Sequence, residues 1–219
     1  MYYQIKGLVL NSNTHGEADK IATIYSYEWG KIQAIVPSAK KIAAKLSAAT
    51  EPLTESEFMV FQSHTSIRPK ITGAVIIKNN SVVKTDFNKN LHALYVSEIG
   101  DKFTPFNMES SEKYELISRA WKLLSDCKNP KRILTAFVLR FLKLSGYSLG
   151  DYIKNHAASA DKDTEAAVMK LSRCSGDEAD DISGFDDNKT WNYVENYLTN
   201  YIKRPAVSVF MRKIQKTDL

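Results

Sequence analysis

Cysteine is scarce in this chain of 219 residues, which has only Cys127 and Cys174. Two thiols build neither a disulfide framework nor a tetrahedral metal centre, so both are expected to be free and at least half-buried. Long apolar runs are also missing. No stretch of about 18 apolar residues occurs, which excludes a membrane-spanning helix. The opening "MYYQIKGLVLNSN" has neither the basic start nor the small-residue cleavage site of a secretory signal, so a cytoplasmic location is expected. Catalytic groupings are absent too. His15, His64, His92 and His156 form no HxH or HxxxH pair and read as solvated or locally bonded side chains. "DEADDISGFDD" lacks the alternating acids, central glycine and terminal glutamate of an EF-hand loop, and "GYSLGDY" has no basic residue after its glycines to make a phosphate loop. The expectation is a protein that is not an enzyme and holds no metal or cofactor.

What is present is enough apolar mass for a core, 43% of the residues, and a net charge of +5 that is unevenly spread. Residues 151–188 hold ten of the 25 acids and four of the 30 bases. The rest of the chain is therefore more basic than its average, as suits a partner of polyanions.

The period of the pattern divides the chain. Up to residue 80, "YYQIKGLVL", "DKIATIYSY", "KIQAIV", "ESEFMVFQ" and "IRPKITGAVII" alternate as strands, with turns at "NSNTHGEAD", "EWGK" and "TEPLT". Five short strands with a long connection after the third predict a small Greek-key barrel of the OB type over 1–80. From 81 to 219 the spacing turns helical. Leu91, Leu94, Tyr95, Ile99 and Phe103 share one face, as do Leu116, Ile117, Ala120, Trp121 and Leu124. A third helix has Asn129 as cap, Pro130 at its first position, the stripe Ile133, Leu134, Phe137, Phe141 and Leu144, and Gly146 as its stop. The fold class is thus α+β, a barrel followed by a helical bundle. Within the bundle, 151–188 is predicted to be a loosely structured surface excursion with one short helix near "TEAAVMKLS", and helical spacing resumes through Trp191, Val194, Leu198 and Tyr201.

Lys31 opens the third strand, Lys40, Lys41 and Lys45 follow it with no acid nearby, and Arg68 and Lys70 flank Pro69 at the start of the fifth. On an OB barrel these six cations are expected to line one groove for nucleic acid, neutralising four to six phosphates with a log-log salt slope of about −3 to −4. Of Tyr25, Tyr27, Trp29 and Phe61, candidates for stacking on bases, alternation assigns at least half to the core.

Residues 7–41, "GLVLNSNTHGEADKIATIYSYEWGKIQAIVPSAKK", resemble the opening of the RecO family, bacterial DNA repair and recombination mediators. Gly7, Val9, Leu10, Gly16, Glu17, Asp19, Gly30, Lys31, Lys40 and Lys41 match its pattern. "EPLTESEFMVF" and "ILTAFVLRFLKLSGY" resemble later elements in the same order. The resemblance implies an OB barrel and a helical domain that bind single- and double-stranded DNA and anneal strands. It also implies RecR as a partner in loading the recombinase, the C-terminal tail of single-strand-binding protein as another, and action in the cytoplasm on the nucleoid. Annealing needs phosphate repulsion neutralised while base edges stay free, which lysines without deep base pockets would do. Three departures stand out. The four-cysteine zinc module that many members carry is represented here by Cys174 alone, so 151–188 reads as its degenerate remnant. "PSAKK" replaces the usual K-G-A-R. The basic residue expected before Phe137 is Thr135 or Ala136, with Lys131 and Arg132 one turn earlier.

A rival expectation is a protein-interaction adaptor whose basic surface binds an acidic tail, with an apolar patch at Phe137 flanked by Lys131, Arg132 and Arg140. A nuclease would need clustered carboxylates, and the only dense ones lie at 177–187. The acidic segment also has a possible role as an internal DNA mimic, folded back over the basic groove.

Overall fold

The computed structural model describes residues 1–37, 45–155 and 161–217. The strands are β1 (Tyr2–His15), β2 (Asp19–Ser26), β3 (Gly30–Val36), β4 (Glu55–Phe61) and β5 (Lys70–Lys78). β1 pairs antiparallel with β2 and β4, β2 with β3, and β4 with β5. A parallel contact between Ile35 and Lys70 joins β3 to β5, so the order β1-β2-β3-β5-β4 closes on itself as an OB-like barrel. The interior follows from the period of two. Ile5 and Val9 on β1, Ala22 and Ile24 on β2, and Ile32, Ala34 and Val36 on β3 all point inward.

Strand β1 is longer than its apolar pattern. The expected turn at "NSNTHGEAD" is strand as far as His15, because Asn11–His15 continue the hairpin with β2 beyond the core. Between Val9 and Asn11 the register shifts by one residue, a bulge that bends the strand. Leu8 and Leu10 face away from the barrel and enter the helical core with Tyr25 and Leu53. The run "LVL" thus serves two cores at once, Val9 the barrel and its neighbours the bundle.

Short helix α1 (Lys45–Ala49) packs Leu46 on the barrel interior, and α2 (Ser81–Thr85) leads out of β5. The bundle comprises α3 (Phe87–Phe103), α4 (Ser111–Asp126) and α5 (Pro130–Leu144), capped by the side chains of Asp86, Ser110 and Asn129 in turn. Helix α5 is buried without a break from Ile133 to Leu139 because helices cover it on several sides. Helices α6 (Leu149–Asn155), α7 (Lys162–Arg173), α8 (Asp187–Leu198) and α9 (Ala206–Thr217) complete it. No helix among the described residues is long and apolar enough to cross a membrane.

The acidic stretch is more regular than expected. In α7, Asp161 caps the first turn, and Ala167, Val168 and Leu171 form a buried stripe at helical spacing. Val168 and Leu171 pack into the same core as α5. A turn of 3-10 helix, Asp177–Asp180, then leads to α8.

Barrel and bundle meet at a buried carboxylate. Glu55, 2% exposed, pairs with Lys6 at 3.0 Å and Lys78 at 3.3 Å and accepts hydrogen bonds from the Tyr114 hydroxyl and the Ser118 hydroxyl, both at 3.1 Å. Burial by itself raises a carboxyl pKa. Here the two lysines outweigh it and hold Glu55 below its ordinary range.

Candidate nucleic-acid interface

The loop from β4 to β5 turns tightly on itself. The Gln62 side-chain amide donates to the carbonyls of Ser63 and Ser66, and the Ser66 hydroxyl donates to the Arg68 carbonyl. Pro69 is buried, and its carbonyl accepts from the Ile35 N–H at 2.8 Å, which anchors the loop to β3. Arg68 and Lys70 are left exposed on either side. Arg68 Nε donates to Gln33 Oε1 at 3.2 Å, and neither cation has a carboxylate partner among the described residues. Lys70 lies opposite Ile35, one residue before β3 ends, so both cations stand where the lysine-bearing connection leaves the barrel. Lys40 and Lys41 themselves lie outside the described residues, and Lys45 is the first residue of α1.

Lys31 does not join them. Its side chain is 7% exposed and faces the bundle, where Nζ pairs with Asp101 at 3.2 Å, donates to the Asp101 carbonyl at 2.5 Å and lies 4.3 Å from the centre of the Phe106 ring. The expected groove therefore loses this cation, because alternation along β3 turns Lys31 toward the helices. Tyr25 is core, its hydroxyl pushed up to about 12 by burial. Tyr27 packs edge-on against Tyr114, and Phe61 lies against Tyr2. Trp29 alone of the four borders a cleft, of about 370 Å³, together with Gln33, Ile67, Arg68 and Phe106. Ile67 and Phe106 carried no signal in the sequence, since each is a single apolar residue in a loop.

The expected partner surface on α5 is already occupied. Asp187 takes a two-pronged ion pair from Arg132, Nε to Oδ1 at 2.8 Å and Nη2 to Oδ2 at 3.1 Å. Lys131 Nζ donates to Asn188 Oδ1 at 2.5 Å. The Asp180 carboxylate accepts the backbone N–H groups of Lys128 and Asn129, both at 2.8 Å, just before α5, and Asp177 pairs with Arg119. Phe137 is 3% exposed and packs on Phe141, so it offers no open apolar patch. Arg140 borders a narrow crevice with Arg119 beside Gly176. The internal-mimic expectation is corrected at the same point: the acidic segment folds onto α4 and α5, where its charges find cations and helix-start N–H groups.

Among the described residues no group of three or more His, Cys, Asp and Glu side chains is placed to hold a metal ion. Cys127 and Cys174 are free and half-buried, and burial raises the pKa of both thiols, that of Cys127 to about 11. His92 is buried, its Nδ1 2.7 Å from the Asn88 carbonyl.

Comparison with known proteins gives a consistent picture. The model of the family "Recombination protein O N terminal" matches residues 1–79, and that of "Recombination protein O C terminal" matches 84–182. The "DNA repair protein RecO" of Heliobacterium modesticaldum is 29% identical over 145 residues, 66% of this chain and 52% of that protein. The proteins of the same name from Mesoplasma florum and Bacillus velezensis are each 28% identical, over 144 and 146 residues, covering 54% and 56% of their lengths. The chain thus spans little more than half the length of these relatives.

Proposed function

From the membership of this chain in the RecO family, which its two matching family models show, we propose that it is a DNA repair protein that acts by holding DNA. The relatives' name supports the repair role. In this reading the barrel binds the phosphates of single- and double-stranded DNA and promotes annealing of complementary strands. It works with RecR to help load the recombinase, in the cytoplasm at the nucleoid, and no covalent step is involved.

One observation carries the DNA-binding part. Arg68 and Lys70 stand exposed at the barrel closure without carboxylate partners among the described residues, while Asp177, Asp180 and Asp187 are engaged by the bundle. The acids of the 177–187 stretch are spent on the bundle and do not screen this corner of the barrel, which leaves it cationic for a polyanion. Contact with the acidic tail of single-strand-binding protein at Arg132 would require displacing Asp187, so the adaptor reading has no free anchor there.

The test is anisotropy of a labelled single strand of about 30 nucleotides, titrated at several salt concentrations with wild type and an Arg68→Ala, Lys70→Ala variant. At roughly 0.7 per phosphate contact, the log-log salt slope should shrink by about 1.4 in the variant. Extending the substitutions to Lys40, Lys41 and Lys45 should shrink it further. An unchanged slope in both variants removes the barrel as the DNA surface.

A further inference from the structure

Strand β3 is fastened to the segment between α3 and α4. Gly30 has φ +67°, and a Cβ there would sit 2.1 Å from the Met108 carbonyl oxygen, so only glycine allows the two backbones to come this close. One residue on, the Lys31 carbonyl accepts the Asn107 N–H at 2.9 Å, and its ammonium lies over the Phe106 ring while it pairs with Asp101. The consequence lies on the outside. Phe106, held from beneath, is 50% exposed, and across the cleft Ile67 is fully exposed. Trp29, braced edge-on by Tyr3 with ring centres 5.0 Å apart, closes the side nearest the barrel. Three apolar surfaces thus face a space of about 370 Å³ whose rim holds Arg68 and the amides of Gln33, Gln62 and Asn107.

We propose that this cleft is a base-stacking site for single-stranded nucleic acid, with Phe106 the stacking face and Lys31 a positioning residue that makes no phosphate contact. The inference rests on the DNA-binding reading above and adds where an unpaired base goes. A nucleobase has an apolar face and polar edges, which matches an aromatic floor with amides at the rim, and Arg68 lies within the same cleft to meet the adjoining phosphate. Stacking of this kind is indifferent to sequence, since every base has a π-face. The neighbouring carboxylate of Glu28 is held by the Lys6 N–H and the Ser26 hydroxyl, and Asp101 is paired with Lys31.

The experiment compares a 30-nucleotide oligo(dT) with an abasic strand of equal length and phosphate count, on the full chain. Wild type should prefer the strand with bases. Phe106→Ala, a change at an exposed position, should weaken oligo(dT) binding at least about fivefold while leaving abasic binding and the salt slope unchanged. Lys31→Met combined with Asp101→Asn, which leaves no uncompensated carboxylate beside the cleft, should reproduce that pattern, whereas loss of a phosphate contact would lower the slope by about 0.7. If Phe106→Ala leaves the ratio of the two affinities unchanged, or wild type binds both strands equally, the stacking site is refuted and the DNA-binding reading survives. If wild type binds neither strand, both fall. Should a hydrophobic peptide, and no base, protect the Trp29 fluorescence from quenching, the cleft belongs to a protein partner and the proposal is overturned.

Discussion

Replacing Glu55 by Gln tests the joint between barrel and bundle. The carboxylate is 2% exposed and has four partners on two parts of the fold, Lys6, Lys78, Tyr114 and Ser118. Glutamine keeps the shape and one good acceptor, but it loses the charge and turns an N–H₂ toward at least one donor. A hydrogen bond to a charged group contributes about 1.5–3 kcal/mol, and truncating a fully buried ion pair costs about 3–5 kcal/mol. The lysine side chains are 44% and 53% exposed and can rehydrate, so the ion-pair part is strongly screened and the loss should be about 2 kcal/mol. For a chain of this size that lowers Tm by roughly 4–8 °C. The pH dependence has a definite sign. The Glu55 pKa is held below its ordinary 4.5 in the folded state, so the stabilisation is complete above that value and is lost as pH falls through the folded pKa. Urea denaturation of wild type and variant should show a constant gap from pH 7 to pH 5 that closes in more acidic solution, where the protonated acid resembles the amide. A gap that persists undiminished well below the folded pKa, or no gap at pH 7, would falsify the charge argument.

Three further outcomes follow from contacts already described. Gly30→Ala combines a left-handed backbone with a clash against Met108, and should cost about 3 kcal/mol or more by chemical denaturation; a near-neutral result means the loop moves freely. A double-mutant cycle on Arg132→Ala and Asp187→Asn should give a coupling of about 1–2 kcal/mol, because the two-pronged pair is only about one-fifth exposed; the cycle on Arg119 and Asp177, both mostly exposed, should give almost none. Equal couplings would mean burial is not what separates them. Cys127 should resist a thiol reagent at pH 8 in the folded protein and react on denaturation, since its pKa of about 11 leaves little thiolate; fast native labelling counts against its burial.

The strands and the main helices were legible because their signal is local. Ile32, Ala34 and Val36 announce an inward face within five residues, and Asn129–Pro130 mark the start of α5 with no tertiary information. What was illegible depends on partners far along the chain. Lys31 reads as a free cation until Asp101, 70 residues later, is brought beside it. The regular structure of 161–188 was missed for the same reason. Its strongest anchors are carboxylates meeting residues about 50 positions earlier, such as Asp180 with Lys128 and Asn129, and a run of acids looks identical whether it faces water or a helix start. Phe106 and Ile67 are isolated apolar residues in polar loops, and only the closure of Gly30 on Met108 sets them across one cleft.

The two halves of the charge pattern therefore have different explanations. In the bundle, Arg119 on α4 and Arg132 on α5 are paired with Asp177 and Asp187 of a single later segment, and Asp180 takes the N–H groups before α5, so these two cations already have their counter-charge within the molecule. In the barrel, Glu55 is shared between Lys6 and Lys78, and Asp101 pairs with Lys31, leaving Arg68 and Lys70 as the cations beside the cleft with no carboxylate partner among the described residues. A polyanion that bound by net charge alone would spread over the whole molecule and ignore substitutions at single sites. One that reads the unpaired positions must lose affinity and salt dependence together when Arg68 and Lys70 are removed, and keep both when Arg132 is removed.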